Sequence, residues 1–187
     1  MPINHSSKYA ELTENQFLWI GKIVIEFSNI EYLLKNLLTR LLMTSDFLGR
    51  TYTDNLNIAK IQESIENALD IHDRRYGGRI IDSKKIKEIK DLNARISSIR
   101  GERNKFAHYC WSRWDDSAIF GAKMGGQVPK HDKPNKDSRK ITIDEMEKLY
   151  KTAYDIVEDL MKLVYSLPEI NEQELLDRHE SGGGNSS

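Results

Sequence analysis

The side chains best suited to chemistry lie in six consecutive residues, Arg103-Asn104-Lys105-Phe106-Ala107-His108. A guanidinium keeps its charge at physiological pH and its fork matches phosphate oxygens, so Arg103 wants an anion or a carboxylate partner. Histidine exchanges protons near neutral pH, so His108 suits general acid or base work. Asn104 lies four residues before His108. On a helix the two share a face, where the amide can hydrogen-bond a phosphate or orient the imidazole. These residue types fit proton transfer beside an anion, with the imidazole as acid or base and the guanidinium steadying the negative charge.

Geometry sets a condition on that chemistry. Five residues on an ideal helix turn side chains by about 140°, so Arg103 and His108 converge only if the helix ends or distorts near Ala107, or if a two-fold dimer shares its residues. A dimer also supplies two histidines, one as base and one as acid. The simpler structural reading pairs Arg103 with Glu31 and leaves His108 as a cation at a helix C-terminus. Other reaction classes lack their residues. Gly182-Gly183-Gly184 sits in a polar tail, unlike a phosphate-cradling loop, and no His-Glu-x-x-His or nucleophile-elbow pattern occurs. His5, His72, His108, His131 and His179 are scattered without ligand spacing, and Cys110 is the single cysteine, so neither a metal site nor a cofactor is expected.

The elements that must position this motif read as helices. Thr13-Glu14-Asn15-Gln16 has the capping-box form, with Leu12 able to staple onto Phe17. Phe17, Ile20, Val24, Phe27, Leu34, Leu38 and Leu41 then repeat at three- and four-residue steps through a helix of roughly 30 residues. Glu31 breaks that stripe, which is costly on a core face unless it is paired or sits at a polar seam. A second helix fits Asn57 to about Ile71, followed by a basic loop from Asp73 to Arg79. Ser83 can cap a third helix, whose stripe of Ile86, Ile89, Leu92, Ile96 and Ile99 runs into Arg103 and Phe106. After His108 the pattern changes to an extended segment or hairpin, then to a flexible excursion from Gly125 to Lys140. Thr142-Ile143-Asp144-Glu145 opens the last long helix, Pro168 stops it, a short helix fits Gln173 to Arg178, and Ser181 to Ser187 reads as a disordered tail. The expected fold is an all-α bundle of four to five helices with one irregular or hairpin insertion at about 109–140, in a single domain spanning 1–180.

Composition agrees with a globular chain. Of 187 residues, 39% are hydrophobic and 30% charged, enough for one core in a very soluble protein. No apolar run approaches the ~20 residues of a membrane span, and Met1 to Ala10 lacks a leader's apolar centre, so a cytoplasmic protein with no membrane partner is expected. The near-even charge hides segregation. From His72 to Lys105, 11 Lys/Arg against 5 Asp/Glu leave +6, and from Lys123 to Lys140, 6 against 2 leave +4. The flanks are acidic, so a basic middle can face a polyanion despite a pI of ≈ 6.5.

Arg103-Asn104 followed by Ala107-His108 resembles the R-x4-6-H signature of the HEPN superfamily, in which Asn frequently follows the Arg. The early long helix with Phe27-Ser28-Asn29-Ile30-Glu31 and Leu33-Leu34 is similar too, as are a Trp soon after the His and a final helix opening at Thr142. The resemblance spans roughly Leu12 to Leu167, with its one specific motif between Arg103 and His108. It implies a helical bundle that dimerises so that two Arg/His pairs face each other. It also implies a metal-independent endoribonuclease of toxin–antitoxin or phage-defence type, with RNA as substrate and an antitoxin or regulatory protein as a further partner. Arg103 and His108 would be catalytic, with Asn104, Glu31, Arg100 and Tyr109 supporting them or binding substrate. One departure concerns the toxins that carry R-x4-H-x-Y. Here Tyr109 follows His108 directly and Cys110 stands two beyond, which speaks against regulation through a modified tyrosine. Two other readings remain open: a catalytically silent HEPN-like module binding RNA, nucleotide or a protein, and a structural helical dimer. Trp111 and Trp114 read as packing residues rather than base-stacking platforms.

Overall fold

Periodicity and capping set the helices. The computed structural model describes residues 10–123 and 138–173 together with Asp177. Numbered in chain order, the elements are α1 (Glu14–Leu41), α2 (Asp46–Thr53), α3 (Ile58–Arg74), α4 (Ser83–His108), β1 (Cys110–Asp115), β2 (Ala118–Ala122), β3 (Ser138–Thr142) and α5 (Ile143–Tyr165). The protein is mostly helical. It is not purely so, because β1, β2 and β3 form an antiparallel sheet in that order. The extended residues after His108 make the first hairpin, and Ser138 to Lys140, read as the end of a flexible excursion, instead open β3. The expected excursion up to residue 137, the tail at 181–187 and most of the short helix at 173–178 lie outside the described residues.

Both capping boxes form. At α1, Thr13 N donates to Gln16 Oε1 at 2.9 Å and Gln16 N donates to Thr13 Oγ1 at 3.2 Å. At α5, Thr142 N donates to Glu145 Oε2 at 2.8 Å and Glu145 N donates to Thr142 Oγ1 at 3.2 Å. Asn57 caps α3 by accepting from Lys60 N at 3.0 Å. At α4 the cap differs from the expected Ser83: Asp82 Oδ1 accepts from Lys85 N at 2.8 Å, and Ser83 is the first helical residue. A carboxylate there also meets the positive end of the helix dipole.

The chain divides into two compact units. The first holds residues 1–28 and 96–155, hence the start of α1, the end of α4, the sheet and the first half of α5. Ile23, Phe27, Ile96, Ile99, Phe106, Ile119, Ile141 and Met146 are buried in it. Phe17 and Val24, expected on the core stripe, are each 43% exposed. Their place is taken by a line one residue earlier, through Gln16 and Ile23, both fully buried. Burying an amide is tolerable when its polar atoms are bonded, and Gln16 Nε2 donates to the carbonyls of Asp115 and Ala118 at 2.7 and 3.2 Å.

The second unit comprises residues 29–95 and 156–187. Leu34, Leu37 and Leu38 of α1, Ile61, Ile65 and Leu69 of α3, Ile89 of α4 and Leu160 of α5 are almost wholly buried there. Helix α2 was not foreseen: Phe47 and Leu48 are exposed while Gly49 and Thr53 are buried, so no apolar stripe announces it. His72 is a core residue of this unit, 2% exposed, with Nε2 at 2.8 Å from the Leu41 carbonyl oxygen. No helix among the described residues is long and apolar enough to cross a membrane.

Candidate functional site

Helix α4 carries the motif to its last residue. Its buried line passes Ile96, Ile99 and Phe106, all in the first unit. At 100° per residue, Arg103 falls about 40° from Ile99, whereas His108 falls on the opposite side of the helix. Burial agrees: Arg103 is half-buried and His108 exposed. The ladder stays helical to the end, with Tyr109 N donating to the Lys105 carbonyl at 2.9 Å. The helix therefore neither stops nor distorts at Ala107, and a single chain does not aim both side chains at one point.

His108 opens onto a shallow hollow of about 400 Å³ lined by Gly101, Asn104, Lys105, His108, Tyr109 and Lys123. Asn104, Lys105 and His108 meet there because positions three and four apart share a helix face. Lys123 arrives by a different route. The register pairs Cys110 with Ala122 across β1 and β2, so the residues just outside that pair, Tyr109 and Lys123, come to the same end of the hairpin. Of the residues singled out in the sequence, the hollow thus gathers His108, Asn104 and Tyr109. Arg103 does not line it, and its Nη1 donates to Asn104 Oδ1 at 3.4 Å. Arg100 is half-buried on α4 and also lies outside the lining, and Glu31 is half-buried on α1 in the second unit.

Ion pairs brace the helix behind this surface. Glu102 accepts from Lys105 Nζ at 3.0 Å and from Arg139 of β3, tying the sheet to α4 six residues before His108. Trp111 stacks on Phe106, with ring centroids 5.0 Å apart and planes at 25°, and lies against Gly121, where an added Cβ would meet its ring at 2.5 Å. These contacts make the start of the hairpin a rigid continuation of α4.

The lysines were missed at the sequence level for different reasons. Lys105 shares helical spacing with His108 and was legible by that signal. Lys123 has no local signal, because only the hairpin register brings it near. Trp114, read from the sequence as a packing residue, is 59% exposed. Among the described residues, no group of three or more His, Cys, Asp or Glu side chains is placed to hold a metal ion. The arrangement offers an imidazole for proton transfer, an amide to orient a phosphate, and the Lys123 ammonium for negative charge, while the Lys105 ammonium is paired with Glu102. Compared with family models, curated proteins and solved structures, this chain matches none of them.

Proposed function

We propose that this protein is a metal-independent endoribonuclease of HEPN type, a helical bundle acting as a homodimer. The observation that carries the reading is an exposed His108 at the end of α4, fronting an open hollow with Asn104, Lys105 and Lys123. An imidazole open to solvent, with an amide and a lysine ammonium lining the same hollow, suits a phosphodiester. One His108 takes the proton of the 2′-hydroxyl, the 2′-oxygen bonds to phosphorus, and the bond to the 5′-oxygen breaks as that oxygen gains a proton from a second histidine. The products are a 2′,3′-cyclic phosphate and a free 5′-hydroxyl. Each protomer brings a single His108, so the second histidine comes from a two-fold mate. The diverging directions of Arg103 and His108 on α4 also require sharing between subunits if Arg103 is to neutralise the phosphorane. A role as a toxin or phage-defence effector, with an antitoxin or regulatory partner, follows from the same resemblance and belongs to this proposal.

The test is cleavage of single-stranded RNA in excess EDTA. The parent protein is expected to cut, and His108→Ala is expected to lose a hundredfold or more of the rate while its mass in solution remains that of the parent. Undiminished cutting by His108→Ala would falsify the assignment.

A second reading is favoured by one observation, the unbroken helix that holds Arg103 and His108 on different sides. In that reading the chain is a catalytically silent module that binds RNA, nucleotide or a partner protein. It predicts no cleavage of any RNA but binding that weakens steeply with salt.

A further inference from the structure

The sheet presents two unlike faces. Pairing sets Arg113, Ile119 and Ile141 in one row, and Ile119 and Ile141 are buried. The neighbouring row, Ser112, Phe120 and Lys140, therefore points the other way. The register shifts between Arg113 and Asp115, and this bulge leaves Trp114 without a partner opposite it. Its ring lies on the Phe120 side, with centroids 6.0 Å apart, and Lys140 Nζ sits 5.0 Å from the Trp114 centroid. The indole is nonetheless 59% exposed.

An exposed indole offers a flat, polarisable π-face to a ligand. Here a hairpin bulge sets the indole beside a second aromatic ring and a cation. Residues 109–123 and 138–142 hold four Lys/Arg, at 113, 123, 139 and 140, against Asp115 and Asp116; of the four, Lys140 is the one in the outer row, since Arg113 and Arg139 pair in the rows of Ile119 and Gly121. Two of those bases also contact the acids, Arg113 with Asp116 and Lys140 with Asp115, the latter at 3.6 Å. Lys123 belongs to the same strand end as the His108 hollow.

We infer that this outer sheet face is a stacking platform for unpaired bases of single-stranded RNA, with Trp114 as the principal surface and Phe120 and Lys140 beside it. The inference rests on the ribonuclease reading for its choice of RNA and supplies what that reading lacks, a reason for preferring unpaired substrate. Every base offers a π-face, so the platform favours single strands without reading their sequence, whereas a duplex keeps its bases stacked inside. Lys140 adds attraction for the backbone between stacked bases.

The experiment uses the full-length chain carrying His108→Ala, so that substrate survives, with a fluorescently labelled twelve-nucleotide single-stranded RNA, its blunt duplex and the matching DNA strand. Adding Trp114→Ala is expected to weaken single-strand RNA binding roughly five- to hundredfold. Duplex binding should stay within about twofold, and Trp114→Phe should recover most of the loss. Lys140→Gln should weaken binding less and flatten its salt dependence. Single-strand affinity unmoved by Trp114→Ala, or an equal loss on the duplex, overturns the platform; tighter binding of the DNA strand overturns RNA as its occupant. Cleavage is scored separately on chains retaining His108. A parent that never cuts but shows the Trp114 dependence removes the nuclease and keeps the platform, and the reverse pattern does the opposite.

Discussion

Glycines show how one atom separates a legible position from an illegible one. Gly21 lies inside α1, and a Cβ there meets nothing within 4 Å. Alanine at Gly21 should therefore stabilise the protein by about 0.5–1 kcal/mol, through lower backbone entropy in the unfolded chain. Gly49 is also helical, but its added Cβ would lie 2.2 Å from Thr39 Cγ2, and Thr39 is 1% exposed. Gly49→Ala should cost about 1–3 kcal/mol, because neither helix has room to yield. Urea midpoints for the two variants should move in opposite directions, and a common direction would refute the packing argument. Nothing local distinguishes these glycines, since what decides is the side chain that faces them from another helix. The same holds at the site, where His108 and Asn104 were legible from helical spacing but Lys123 required the strand register.

Element boundaries were the most legible feature, because capping is a contract between neighbours in the chain. Both capping boxes read from the sequence are present, and the exception is instructive. Asp82 and Ser83 are adjacent, both suited to cap, and only the backbone conformation selects Asp82. Asp82→Ala should lower stability by about 1 kcal/mol while Ser83→Ala stays within a few tenths, measured by denaturant unfolding. In the hairpin, Asp115 accepts from both Ser117 Oγ and Ser117 N, at 2.7 and 2.8 Å. The Ser117 side-chain bond, then its backbone bond, hold the Asp115 carboxyl below the ordinary range. A carboxyl lowered in the folded state adds stability above its unfolded pKa and loses it as pH falls through the folded value. Amide exchange in the β1–β2 turn, corrected for intrinsic rates, should lose protection as pH falls below about 4, and Asp115→Asn should remove most of that pH dependence. What could not be read was the third strand, because pairing of β3 with β2 joins residues about twenty apart through a segment rich in Gly and Pro.

At the scale of the whole molecule the proposed chemistry depends on a second subunit, which makes a stoichiometric test possible. If each site needs the histidines of both protomers, parent and His108→Ala chains unfolded together and refolded at equal amounts should keep about one quarter of the activity of parent alone. Independent sites would keep about half. Light scattering on the same samples should report a dimer, and a monomer with full activity would contradict the shared-site mechanism. Basic segregation along the chain makes a further prediction at this scale. RNA affinity should fall by tenfold or more between low and physiological salt, although the formal net charge is only −1.

The chain alone determined its four long helices, because an apolar stripe, a cap and a stop are local and each has a short-range physical cause; α2, with no such stripe, was decided by tertiary packing. The chain also determined that Asn104 and His108 share a face and that Arg103 does not join them. Tertiary structure decided the remainder. It placed Gln16 in the core by giving its amide two hairpin carbonyls, and left Phe17 and Val24 outside. Strand register brought Lys123 to His108, and a bulge turned Trp114 out to solvent. Those outcomes depend on which distant residues share hydrogen bonds across a sheet, and pairing of that kind leaves no periodic trace in the sequence.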